Sequence, residues 1–376
     1  MTANNMILRL IRHSETEYNR ERRFQGCTDI PLSAHGESIL RTEKNIPEKI
    51  YVSGLKRTVQ TAEIIFPGTE MVQVPELNEI RLGILEGKTH EELKDNPEYK
   101  KWLERGGEGQ VPGGEDKEVF TDRVCDAFEK ILKEAGPDDT VTAVVHGGTI
   151  MASLGRFDIR GKNEYMEYGI ANGDGFEIEV AGEGSEMKWR ILRRISYRND
   201  SGLIHLYYGL GRGKTSIAMG TALRALKDGY RVLICQMCKA EGSLETAFLA
   251  GQGAEVIYGF ERPILPKNMT PEQKADAYTK QTDILKSVVM DLKSSEGNGR
   301  KKLLILDEAC AASEHGIIDE DLLWDAVLRK PYDVEIIMTG RRPVQWMKDA
   351  ADYSTELVCD RHPFEKGICA RTGIDK

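Results

Sequence analysis

No apolar run in the sequence approaches the length needed to cross a bilayer. The first apolar stretch, Met6–Ile11, is interrupted by Arg9 and has no small-residue cleavage site after it, which argues against a membrane or secreted protein. Cysteine is sparse and odd in number: Cys27, Cys125, Cys235, Cys238, Cys310, Cys359 and Cys369 are scattered through the chain. That pattern fits a reducing cytoplasm better than a disulfide framework. Positive charge is in deficit, with 52 Lys and Arg against 61 Asp and Glu. The first 200 residues hold 28 basic against 36 acidic side chains, so neither half is a nucleic-acid binder by bulk electrostatics. An anionic ligand must therefore be met by a few placed cations or by backbone N–H groups. Internal repeats and low-complexity tracts are missing as well, and 37 Gly with 13 Pro excludes collagen and wholesale disorder.

What is present is an ordinary globular composition spread over 376 residues, which predicts two domains because one hydrophobic core rarely serves such a length. In the first half, strand patterns at 7–12, 50–53 and 141–145 alternate with helical patterns at 33–45, 55–66 and 116–135, and β-like segments follow at 175–180 and 187–195. This is a mixed α/β domain with a mostly parallel sheet. The polar, turn-forming stretch Ser196–Gly202 breaks the periodicity, giving expected domains of 1–197 and 202–376. A second α/β cycle begins with strand 203–208, a glycine turn, a helix to Lys227 and strand 231–235. Thr270-Pro271-Glu272-Gln273 reads as a capping box opening a helix to Lys293. Strands 303–306 and 334–339 follow, separated by a helix at 319–329, and their continuous apolar character predicts a sheet covered on both faces.

The first strand ends in Arg12-His13-Ser14-Glu15-Thr16, with Asn19 and Gln25 beyond it. Ligands collect at the carboxyl ends of strands in open α/β sheets, so Arg12 and His13 are delivered where a site would form. A neutral imidazole can attack phosphorus when a guanidinium holds the phosphoryl oxygens. Three further segments suit the same chemistry. Ser53–Ala62 places Arg57 at a helix start, Leu77–Gly87 offers Glu79 as a proton donor, and Val144–Gly148 ends a strand with His146 and two glycines.

In these segments, and in Gln25–Gly36, residues 6–195 resemble the histidine phosphatase (phosphoglycerate-mutase-like) superfamily. The form of the Gly83–Gly87 stretch is closest to its α-ribazole phosphate phosphatases. The resemblance implies His13 as the phosphorylated nucleophile, Arg12, Arg57 and His146 as the phosphate pocket, Glu79 as general acid, and Asn19 and Gln25 as substrate contacts. It implies no metal in this domain. Ser14 stands where the family has Gly, which predicts a modest loss of activity or a shifted turn.

Beyond the boundary, Tyr208–Ser216 joins a strand to a helix through a glycine-rich turn, the setting in which backbone N–H groups cradle phosphates. Tyr208 stands where the strict phosphate-loop pattern requires Gly. Lys214 would pair with phosphate oxygens and Thr215 would reach Mg²⁺, while the strand ending in Asp307-Glu308 supplies acids for a metal and its waters. Together with Arg231–Lys239, Glu335–Arg341 and the ending Arg361–Asp375, residues 202–376 resemble the ATP:corrinoid adenosyltransferase family, a P-loop NTPase-like fold. The resemblance implies that Gly209, Gly211, Arg212, Gly213, Lys214, Thr215 and Ser216 bind triphosphate, and that Thr215, Asp307 and Glu308 serve Mg²⁺. Leu210, Arg212 and the segment Ala240–Ala250 depart from the family pattern. Phe248 in that segment reads as a core aromatic, and Cys235 with Cys238 as ordinary burial, since no zinc-spaced partner accompanies them.

The two resemblances imply a cytoplasmic bifunctional enzyme. Its first domain would hydrolyse α-ribazole 5′-phosphate or a similar phosphomonoester. Its second would transfer adenosyl from Mg-ATP to cob(I)alamin or a corrinoid of the cobyrinic acid a,c-diamide type. An electron donor for Co(I) and a homodimer belong to the same expectation, and nucleic acid and membrane do not. A broad-specificity phosphomonoesterase in the first half, or a nucleotide-gated corrinoid-binding module in the second, are the alternatives.

Overall fold

Short apolar strands and amphipathic helices assemble into two units, Met1–Asn199 and Asp200–Lys376. The structure is a computed structural model that describes residues 6–105, 109–136, 139–161, 168–182, 184–240, 244–260, 268–295, 299–369, 371 and 373–374.

The first unit runs β1 (Met6–Arg12), α1 (Glu17–Arg20), α2 (Ala34–Ser38), β2 (Lys49–Val52), α3 (Lys56–Ile65), β3 (Glu70–Gln73), α4 (His90–Leu93), α5 (Pro97–Glu104), α6 (Lys117–Glu134), β4 (Thr140–Val145), α7 (Gly147–Phe157), β5 (Asp174–Ala181) and β6 (Lys188–Ser196). The strand order is β3-β2-β4-β1-β5-β6, with the first four strands parallel and the last two antiparallel. Helices cover the central strands, which is why five consecutive residues of β4 are buried. Asp116 caps α6 by accepting from the N–H groups of Glu118 and Val119. One face of this helix buries Phe120, Val124, Phe128 and Ile131 at helical spacing. Trp189 on β6 closes that side, edge-on to Phe128 and 4.8 Å from the Phe157 ring.

The helix expected over 33–45 stops at Ser38. Leu40 forms an antiparallel bridge with Arg198, and the Arg41 N–H donates to the Tyr197 carbonyl, so strand pairing replaces the helical bonds there.

The second unit runs β7 (Ile204–Tyr208), α8 (Lys214–Lys227), β8 (Arg231–Gln236), α9 (Leu244–Gly251), β9 (Glu255–Tyr258), α10 (Pro271–Ser294), β10 (Lys302–Asp307), α11 (Ala309–Glu314), α12 (Glu320–Leu328), β11 (Val334–Gly340), α13 (Gln345–Ala350) and β12 (Tyr353–Glu356). All six strands are parallel in the order β12-β7-β11-β10-β8-β9. Val232, Ile234, Leu303, Ile305 and Ile337 on one face pack against Ala218, Met219 and Ala222 of α8 and Leu249 of α9. The capping box of α10 forms as its sequence predicts, Thr270 and Gln273 each accepting from the other's N–H.

One reading changes. Phe248 is 58% exposed on α9 and is not core. His205 is half-buried at the sheet surface, its Nε2 2.5 Å from Glu335 Oε1 and its ring stacked on Tyr353. Residues 241–243 of the Ala240–Ala250 segment, and residues 370, 372 and 375 of the Arg361–Asp375 motif, lie outside the described residues.

Candidate active sites

In the first unit, strand register makes the site. Arg12 on β1 lies opposite Val145 on β4, so the next residue of each strand, His13 and His146, emerge side by side. Their rings meet edge to face with centroids 5.3 Å apart. Val52 on β2 pairs with Val144, which brings Ser53 Oγ to 2.8 Å from His146 Nε2. His13 Nδ1 is 2.7 Å from the Ser14 carbonyl, an oxygen that only accepts, so Nδ1 carries the proton and Nε2 keeps its lone pair. Burial, then the Arg57 and Arg12 charges, hold the His13 imidazole well below its usual pKa. The same burial and charges depress His146, whose Nδ1 is buried without a hydrogen-bond partner among the described residues.

Arg57 is fully buried in the first turn of α3. Its guanidinium donates to the carbonyls of Thr28 at 2.9 Å and Gly26 at 2.6 Å. Those carbonyls are held in place by Glu86, whose Oε1 accepts from the N–H groups of Gly26 and Thr28 and from the Thr28 hydroxyl. Arg12 donates to the Ile170 carbonyl at 2.6 Å.

Glu79 accepts from the N–H of Gly148 at 2.8 Å and of Ile80 at 3.0 Å. Burial outweighs these bonds and raises its pKa. A Cβ at Gly148 would lie 2.0 Å from Glu79 Oε1, so this approach requires glycine. Gln25 accepts from Thr16 Oγ1 at 2.7 Å, while its Nε2 is buried without a partner among the described residues. Asn19 Oδ1 is committed to capping α1 through the Thr16 N–H and also accepts from Asn172.

Ser14 does not crowd this pocket. Its hydroxyl donates to the Gly36 carbonyl at 2.7 Å, its N–H donates to Thr61 Oγ1, and its φ is negative, so its turn makes no demand for glycine.

Three contributors escaped the sequence reading. Asn172 Nδ2 donates to the His13 carbonyl at 3.0 Å. Arg123 donates to both carboxylate oxygens of Glu115 and to the carbonyls of Glu76, Asn78 and Glu79, clamping the loop that carries Glu79. Ser53 fixes His146.

In the second unit, the glycine turn follows β7 and opens α8, with Gly209 and Gly213 at φ 106° and 107°. The first helical bond runs from the Ile217 N–H to the Gly213 carbonyl, which leaves the N–H groups of Lys214, Thr215 and Ser216 outside the helical ladder, as an anion site needs. Lys214 Nζ folds back onto the carbonyls of Gly209 at 2.8 Å and Gly211 at 2.7 Å. The N–H of Gly209 donates to Arg341 and that of Gly211 to Leu357, so these two glycines are engaged by the protein itself. Arg212 is exposed and donates to the Ile374 carbonyl; Leu210 is 67% exposed, and Ser216 is exposed.

Asp307 ends β10 with no exposed surface and collects four donors: Thr339 Oγ1 at 2.6 Å, Thr215 Oγ1 at 3.1 Å, Gln236 Nε2 at 3.1 Å and Lys239 Nζ at 2.7 Å. Glu308 takes the left-handed conformation, φ 62°, and burial followed by the Asp307 charge raises its pKa. Thr215, Asp307 and Glu308 form a hard-oxygen set of the kind that holds Mg²⁺ together with substrate phosphates. Among the described residues no group of three or more His, Cys, Asp or Glu could hold a metal unaided. Gln236, Lys239 and Thr339 joined this centre without being singled out from sequence.

Burial pushes the thiol pKa values of Cys235 and Cys238 up to about 12. Among the described residues no helix is long and apolar enough to cross a membrane.

A paired-histidine pocket and a glycine-turn helix define a chain made of two phosphate-handling enzyme domains. The family model "Histidine phosphatase superfamily (branch 1)" matches residues 8–191, and "ATP:corrinoid adenosyltransferase BtuR/CobO/CobP" matches residues 200–375. A Serratia proteamaculans protein named "Probable phosphoglycerate mutase GpmB" is 33% identical over 154 residues, 39% of this chain and 71% of that one. A Pseudomonas aeruginosa "Corrinoid adenosyltransferase" is 30% identical over 184 residues, 47% of this chain and 85% of that one. A crystal structure of phosphoglycerate mutase from Thermus thermophilus shares 32% identity, covering 51% of this chain and 99% of that one, with a TM-score of 0.39. The chain belongs to the histidine phosphatase superfamily in its first unit and to the corrinoid adenosyltransferase family in its second.

Proposed function

We propose that the chain is a cytoplasmic bifunctional enzyme of cobalamin assembly, dephosphorylating α-ribazole 5′-phosphate with its first unit and adenosylating a reduced corrinoid with its second. The observation that carries the phosphatase reading is the His13 tautomer: Nδ1–H is tied to the Ser14 carbonyl, leaving Nε2 as a nucleophile in a buried pocket beside two arginines. His13 Nε2 attacks phosphorus and the ester bond breaks. The departing oxygen takes the proton from Glu79, whose raised pKa suits a donor. Water then attacks the phosphohistidine, returns its proton to Glu79 and frees phosphate. Arg12, Arg57 and His146 hold the phosphoryl oxygens throughout, and Asn19 and Gln25 face the remainder of the substrate.

In the second unit, Co(I) of the corrinoid attacks the ribose 5′ carbon of ATP, and triphosphate leaves. The helix-start N–H groups and Lys214 bind the leaving triphosphate. Mg²⁺ held by Thr215 and the Asp307–Glu308 pair would neutralise further charge on it. Choosing α-ribazole 5′-phosphate among phosphomonoesters rests on its chemical company: the second unit handles the corrinoid to which such a ribazole is joined. An external electron donor supplies Co(I). The seven free thiols accord with a reducing compartment.

The deciding experiment compares substrates on the purified chain. Phosphate release should be far faster from α-ribazole 5′-phosphate than from phosphoglycerates, and the reverse preference removes the assignment. Reduced corrinoid with Mg-ATP should yield a light-sensitive cobalt–carbon product and one triphosphate per turnover.

A further inference from the structure

The strongest contact of Asp307 with a cation involves a side chain outside the glycine turn. Lys239 follows β8, and its Nζ sits 2.7 Å from Asp307 Oδ2 and 3.1 Å from Thr215 Oγ1. These two oxygens are the ones a divalent cation would use. Oxygen ligands lie about 2.1 Å from Mg²⁺, so an ammonium touching both oxygens stands where the metal or its first water must go. The Asp307 carboxylate has no exposed surface, whereas the Lys239 side chain is 33% exposed, so the lysine is the member of the pair that can withdraw. Gln236 supplies a second observation. Its Nε2 donates to Asp307, and its Oε1 is buried without a partner among the described residues. That leaves an acceptor beside Asp307 for a metal-bound water to satisfy.

We propose that Lys239 is a resident cation that occupies the divalent-metal position between Thr215 and Asp307 and is displaced only when metal and polyphosphate arrive together. A free divalent ion would have to dislodge the ammonium into a site already rich in positive charge, with Lys214 alongside. Metal entering with triphosphate brings the anionic oxygens that the released ammonium then pairs with. The lysine thus makes metal binding depend on nucleotide, and the inference rests on the nucleotide-site reading above.

The test uses the full chain and Mn²⁺ as the probe, followed by electron paramagnetic resonance. Without nucleotide, the unaltered chain should bind Mn²⁺ weakly, Lys239→Met about tenfold or more tightly, and Lys239→Arg like the unaltered chain. Equal Mn²⁺ affinity for Lys239→Met and the unaltered chain overturns the proposal. Lys239→Gln is measured alongside in case the methionine variant fails to fold. On the unaltered chain, diffraction at the manganese edge with ATP and Mn²⁺ bound should show Nζ withdrawn from Thr215 and Asp307. A lysine still bridging both oxygens refutes displacement. Failure of the unaltered chain to bind Mn-ATP would defeat the nucleotide-site reading, while the comparison with Mn²⁺ alone would still decide the role of Lys239.

Discussion

The imidazoles of His13 and His146, 133 positions apart in sequence, meet edge to face at 5.3 Å because Arg12 and Val145 are register partners in adjacent parallel strands. Each ring is pushed toward its neutral form by burial and by the same two arginines. A neutral His13 ring needs no prior deprotonation to offer its Nε2 lone pair.

The two sites should fail independently. His13→Ala is expected to abolish phosphate release and the acid-labile phosphoenzyme while leaving adenosylation intact. Lys214→Ala should remove ATP binding and adenosylation while sparing phosphate release. Paired assays on each variant check this, and joint loss from either change contradicts separate sites.

Rate against pH should be bell-shaped. Activity should fall in acid as His13 protonates at its depressed pKa, and in base as Glu79 loses its proton at its raised one. Glu79→Gln should lower kcat by about 10²-fold or more and erase the alkaline limb. A profile retaining both limbs in that variant would assign the proton donor elsewhere.

Stability should decline in acid for a related reason. The folded-state pKa values of His13 and His146 lie below the unfolded value, so below about pH 6.5 the unfolded chain binds protons that the fold excludes. Each histidine costs the fold about 1.4 kcal/mol per pH unit between the unfolded and folded pKa values. Glu79 acts oppositely: its raised pKa lets the fold take up a proton first, which softens the loss near its own titration. Urea unfolding of the first unit at pH 7.5 and 5.5 measures the slope, and replacing both histidines with glutamine should flatten it.

Arg123 clamps Glu115 and three carbonyls of the 76–79 loop, which fixes the backbone that carries Glu79. Arg123→Lys keeps the charge but loses the fork, so kcat should drop about tenfold with KM nearly unchanged, and the alkaline limb should move to lower pH as water reaches Glu79. Arg123→Ala leaves the buried Glu115 carboxylate unpaired and should destabilise the unit by about 3 kcal/mol, read by denaturant unfolding.

Ser14→Gly should not raise activity. The Ser14 hydroxyl bonds to Gly36 away from the pocket, so its removal should cost about 1 kcal/mol of stability and leave kcat/KM within twofold. A marked gain in kcat/KM would show that the hydroxyl does obstruct the nucleophile.

The apolar strands and both strand-end motifs could be read from the sequence because buried parallel strands leave little freedom of composition. The partners that orient those motifs could not. Asn172 reaches the His13 carbonyl across 159 positions, and Arg123 grips carbonyls 44 to 47 positions away. Main-chain acceptors carry no residue signature, so nothing at either end announces such a bond. The helix expected at 33–45 erred for the same reason, since the bridge that ends it is made by Arg198. Lys239 was visible as a residue but not as a neighbour of Asp307, a relation set by the pairing of β8 with β10.

The approach of Glu79 to the Gly148 N–H, with space for no methyl between them, ties two loci together in descent. A side chain at 148 is admitted only if the Glu79 carboxylate swings away from the Gly148 N–H, so the acid survives such a change but its aim does not. A lineage that has already discarded the acid meets no such conflict at 148.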